Sequence, residues 1–182
     1  MSVAEKLQSL RLILGEQKNL LKKDYFKAPQ LDENTIPRGA IVELIGSYKT
    51  EWAAQMIALH PDLKVFWAEK DPSILPTALH QRGALLSQIT FAIVPKDLVA
   101  ALRRAIQSQV YGLIFAPNSF DEIKIFQAFQ LFTEKSNATL FLFGKEKPCT
   151  AWPISLQLEI HKSGEGQFKI EILKQKHGKH AR

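Results

Sequence analysis

IPRGAIVELIGSYKTEW, residues 36–52, carries the reading of the fold: a glycine turn at Gly39, a buried apolar strand, a second glycine at Gly46, and a Lys-Thr pair, Lys49-Thr50, opening a helix. Short apolar runs alternate with helix-length amphipathic segments downstream of it. Strands are predicted at 41–45, 65–68, 89–94, 113–116 and 139–143, and their continuous apolar character predicts burial on both faces. Trp52, Ala53, Met56 and Ile57 mark one helical face between them, and Leu98, Val99, Leu102 and Ile106 mark another. A third helix, over 120–133, is apolar nearly all round and is expected to pack deeply. This alternation is the signature of βαβ units around a mainly parallel sheet flanked by helices, an α/β fold.

Further along, the period changes to two. Ile154, Leu156, Leu158 and Ile160 alternate with Ser155, Gln157, Glu159 and His161, and Phe168, Ile170 and Ile172 follow Ser163-Gly164-Glu165-Gly166 on a matching period. The expectation is an antiparallel hairpin with one wet face. At the other end, Ser2 and Glu5 fit a capping box, and Val3, Leu7, Leu10 and Leu14 recur as an apolar stripe before Gly15. The polar stretch 17–27 then reads as a linker ending at Ala28-Pro29. The predicted organisation is a helical arm and linker over 1–28, a core over 29–176 and a basic tail over 177–182.

The chain has 182 residues, 46% of them hydrophobic, enough for one α/β domain with a sizeable core. It contains no apolar run of membrane-spanning length and no secretory pattern at its N-terminus, so a soluble, cytoplasmic protein is expected. Cys149 is the single cysteine and has no metal-ligand spacing around it, which makes it structural. His177 and His180 stand three apart in the tail, where solvation is the expected state. The net charge of +6 sits at the two ends, +4 over 173–182 and +3 over 1–28, which leaves the body at about −1. Such ends suit an anionic partner.

A working phosphate loop needs G-x-x-x-x-G-K-[ST], because successive backbone N–H groups must curl around the phosphates before the lysine and hydroxyl arrive. Here only Ser47 and Tyr48 separate Gly46 from Lys49. The order of elements nonetheless resembles the RecA recombinase over residues 31–176. VFWAEKD, residues 65–71, looks like the strand ending in its catalytic glutamate, with Glu69 at the matching position. VYGLIFAP, residues 110–117, looks like the strand ending in its magnesium-associated aspartate, with Ala116 at the matching position. ISLQLEIHK and FKIEILKQK resemble the late paired strands, where a basic ending is usual.

Two of the three nucleotide-handling elements therefore depart from the pattern, as in the degenerate RecA-like proteins ImuA and SulA. The resemblance implies a RecA-like core without hydrolysis and without a cofactor, in which Gly46, Lys49, Thr50 and Glu69 are vestiges of a nucleotide site. It implies an accessory role in the DNA-damage response, of the translesion or SOS type, through a RecA-like recombinase, a translesion polymerase subunit or DNA. The alternatives are a division inhibitor of the SulA kind acting on a cytoskeletal target, and a residual ATP-binding recombinase paralogue. Leu7, Leu10, Leu14, Tyr25 and Phe26 are the candidate partner-binding and self-association residues; the two aromatics either dock on a neighbour or fold back onto their own core. Lys174, Lys176, Lys179 and Arg182 are the candidate DNA-binding residues, gathering along phosphate in a salt-sensitive way.

Overall fold

A computed structural model describes residues 25–164 and 166–176. The stripe residues Leu7, Leu10 and Leu14, the tail cations Lys179 and Arg182, and both tail histidines lie outside that range. A seven-stranded sheet organises the described body. Its strands are β3 (Ile41–Ile45), β4 (Val65–Glu69), β5 (Ile89–Ile93), β6 (Leu113–Pro117), β7 (Thr139–Phe143), β8 (Leu156–Gly164) and β9 (Gln167–Gln175), in the order β5-β4-β6-β7-β3-β8-β9. The first six run parallel and β9 alone is antiparallel, so one margin of the sheet collects the carboxyl ends of β3 to β8. A two-residue pair, β1 (Tyr25–Phe26) with β2 (Ile36–Pro37), forms a separate small sheet.

Two apolar cores lie on opposite faces, as continuous strand hydrophobicity requires. On one face α1 (Lys49–Ala58) and α2 (Pro76–Gln81) bury Trp52, Met56, Ile57 and Leu79 against Val42, Leu44, Trp67, Phe115 and Phe141. The rings of Trp67, Phe115 and Phe141 stack in series, with centroids 5.1 and 4.8 Å apart. On the other face α3 (Leu98–Gln107) and α4 (Ile123–Ser136) cover Ile41, Ala68, Ile114, Ala116, Leu140 and Leu142.

Several expectations need correction. The third predicted helix begins at Ile123 rather than 120 and is a surface helix: Phe126, Phe129 and Thr133 are buried, while Leu131 is 66% exposed. It packs on one sheet face beside α3, so only one of its sides can be covered. β5 is a margin strand, and its far end opens to solvent at Ile93. The polar face of the hairpin is wet only distally, since Ser155 and Gln157 are buried where β8 lies between β3 and β9. The body also begins earlier than residue 29. Phe26 is 1% exposed and Ala28 is buried, both in the α1-side core, and the Trp52 indole N–H donates to the Pro29 carbonyl at 3.1 Å. Phe26 thus folds back onto its own core, beneath the Arg38 guanidinium at 4.3 Å.

Candidate functional site

Strand-end clefts at the carboxyl margin of a parallel sheet are the ordinary ligand position of open α/β folds, where following helices leave on opposite faces. Here β4 leads to α2 on one face and β6 leads to α4 on the other. A cleft of about 560 Å³ opens at that point, lined by Lys49, Thr50, Trp67, Glu69, Ser73 and Pro117 among others. Lys49 and Thr50 from one stretch and Glu69 from another, predicted as nucleotide-site vestiges, are brought together by the fold.

Each has a specific local state. The turn from β3 to α1 is short, and Gly46 adopts φ +91° against the backbone of β8. The Tyr48 N–H donates to the Ile160 carbonyl at 3.2 Å. The Lys49 ammonium donates to the Gly144 carbonyl at 2.6 Å. Burial lowers its pKa, and the negative charge of Glu43 partly offsets that. Thr50 is exposed on the first turn of α1.

Glu69 is 9% exposed. Its carboxylate accepts from the Trp67 indole (3.2 Å), the Ser73 backbone N–H (2.7 Å), the Ser73 hydroxyl (2.9 Å) and the Ile74 N–H (3.3 Å). Burial pushes its pKa up, but these four donors together outweigh it and hold the carboxyl below its usual range. Four donors occupy about all the lone-pair sites a carboxylate has. Glu69 therefore ties down the loop that follows β4.

At the end of β6 the register needs correction. Side chains alternate along a strand, so with Phe115 in the α1-side core, Ala116 points into the opposite core, fully buried. The residue presented to the cleft is Pro117, which has no carboxylate to offer. Among the described residues no group of three or more His, Cys, Asp or Glu side chains is placed to hold a metal ion.

Beneath Lys49 lies a cluster that sequence reading missed. Glu43, 1% exposed in the middle of β3, accepts from Asn118 Nδ2 (2.7 Å), the Cys149 N–H (2.9 Å) and Gln157 Nε2 (2.7 Å). Gln157 Nε2 also donates to the Cys149 carbonyl at 2.7 Å. One buried acid thus joins the ends of β6, the segment after β7 and β8. Gly144 permits the arrangement, because a Cβ there would stand 2.7 Å from Glu43 Oε1. The available signal was a lone acid inside IVELI together with the hairpin amide Gln157, its register partner.

The candidate DNA contacts are partly committed inside the body. Lys174 donates to the Ala151 carbonyl at 3.1 Å. Burial lowers its pKa, with Cys149 and Glu43 opposing. The Lys176 ammonium stands 4.9 Å from the centroid of the Trp152 ring. No helix among the described residues is long and apolar enough to cross a membrane. No protein-family description matches this chain, and no curated protein matches it.

Proposed function

We propose that this chain is a RecA-like domain that has lost ATP hydrolysis and works in the cytoplasm as a non-catalytic accessory of the DNA-damage response, binding a RecA-like recombinase, a translesion polymerase subunit or DNA. The observation that carries the reading is the state of the strand-end cleft. Lys49, Glu69 and the end of β6 line it together, which supports the RecA resemblance, while Lys49 and Glu69 are already bonded within the fold and β6 brings no acid to it. Phosphoryl transfer depends on a phosphate cradle, a metal support and a positioned base. The Gly46–Tyr48 turn is bonded to β8, Pro117 stands where a metal-supporting acid is needed, and Glu69 is saturated by its own loop. Binding is what such a domain retains.

The test is competitive capture by the full chain, offered a RecA-like recombinase, translesion polymerase subunits, a division protein and DNA. Retention of recombinase, polymerase or DNA is the expected result. Retention of the division protein alone would replace this reading with the inhibitor one.

A further inference from the structure

The two margins of the seven-stranded sheet are treated differently by the sequence. An open strand edge invites pairing with another chain, and proteins guard such edges with charges, bulges or a covering segment. The β9 margin is guarded: it carries Lys169, Glu171 and Lys174, and its register with β8 shifts between Leu158↔Ile172 and Gln157↔Lys174, leaving Leu173 as a bulge. The β5 margin, Ile89-Thr90-Phe91-Ala92-Ile93, has no charge, no proline and no register shift, and among the described residues only β4 pairs with it. Ile93, at its end, is 53% exposed.

The backbone groups left on that edge match themselves. The Val94 N–H donates to the Glu69 carbonyl of β4, so alternation turns Thr90 and Ala92 toward β4 and Ile89, Phe91 and Ile93 outward. The Ile89 N–H is taken by the Leu86 carbonyl in the turn before it. The Ile89 carbonyl, both groups of Phe91 and the Ile93 N–H remain to pair. A second copy, turned about a two-fold axis at Phe91, meets this set in antiparallel register. The Phe91 N–H then donates to the second copy's Phe91 carbonyl and the Ile93 N–H to its Ile89 carbonyl, and both bonds recur by symmetry. The side chains agree with the backbone. Ile93 lies opposite Ile89 and Phe91 opposite Phe91, apolar cross-strand pairs of the kind that stabilise sheets. Lys96 and Asp97 follow the carboxyl end of the strand, so an antiparallel pair holds the two sets of charges at opposite ends. A foreign strand would have to supply each of these matches, whereas a second copy carries them all.

We infer that two copies of this chain pair antiparallel through β5, joining their sheets into one and covering Ile93. This rests on the fold and not on the proposed role. Sedimentation velocity of the full chain, from micromolar to hundreds of micromolar, is expected to show a monomer–dimer equilibrium. Ile93→Lys, at an exposed position, is expected to weaken it about tenfold with the melting transition retained, because each dimer loses that cross-strand pair twice. Leu131→Lys, at an exposed position on α4, is expected to leave it unchanged. The register is read separately by mixing full-length Thr90→Cys and Ala92→Cys chains, both in a Cys149→Ser background. Opposite each other in a non-hydrogen-bonded pair, their Cα atoms would stand about 4.5 Å apart, within disulfide reach. A disulfide between the two variants is expected to form about tenfold faster than one between Thr90→Cys and Leu131→Cys chains, whose positions the pairing does not bring together. A monomer throughout the range, a dimer indifferent to Ile93→Lys, or equal disulfide rates would each overturn the inference, the first by leaving the edge to another occupant.

Discussion

Replacing Gly46 by valine is expected to destabilise the body by roughly 2–6 kcal/mol, from a left-handed backbone that a β-branched residue resists and from overpacking. At φ +91° any Cβ would overlap the Ile160 carbonyl oxygen and stand 2.9 Å from the Ile160 nitrogen, both of them backbone atoms of β8 that cannot swing aside. Domains of this size hold only about 5–15 kcal/mol in total, so the change removes a large share. Urea denaturation of Gly46→Val beside Thr50→Ala measures it. A midpoint for the valine variant within about 0.5 kcal/mol of the parent, the range of ordinary surface changes, would mean that the turn is not pressed against β8. The same close approach is what the proposed loss of nucleotide handling rests on, since the turn is bonded to β8, its neighbour in the sheet.

Glu43→Ala is expected to cost about 2–5 kcal/mol, the range for leaving buried partners of a charged group unpaired. Asn118 Nδ2 and the Cys149 N–H would lose their acceptor, while Gln157 keeps the Cys149 carbonyl. Glu43→Gln should cost less than half as much. A glutamine oxygen still serves Cys149 and Gln157, and its amide can meet Asn118 Oδ1, which is buried and unpartnered in the present arrangement. Chemical denaturation of the two variants gives the ranking; equal losses, or a neutral alanine, would show that the acid does not hold these segments together.

The parallel strands were legible because each is a short apolar run with a turn at its end, and β3 and β7 fall at their predicted positions. The place of each strand in the sheet was not. ITFAI and LIFAP read alike, yet one ends at the margin and the other in the centre, since strand order is set by pairing between distant segments. The same blindness explains α4, whose apolar residues at 123, 125 and 131 face outward or lie half-covered. Lys49, Thr50 and Glu69 were found from local pattern and do converge on one cleft. Their hydrogen-bond partners, Gly144 for Lys49 and the Ser73 loop for Glu69, depend on side-chain direction, which no spacing reveals. Ala116 failed for a related reason: a one-residue change of register along a strand exchanges its faces.

Magnesium-dependent ATP turnover by the full chain, measured beside Lys49→Ala, tests the central claim most directly. Phosphate release no faster than the protein-free blank, unchanged by the substitution, is expected, because the Gly46–Tyr48 turn is bonded to β8 and β6 brings Pro117, not an acid, to the cleft. Turnover above the blank that disappears in a folded Lys49→Ala variant would contradict it and restore the cleft as a working nucleotide site.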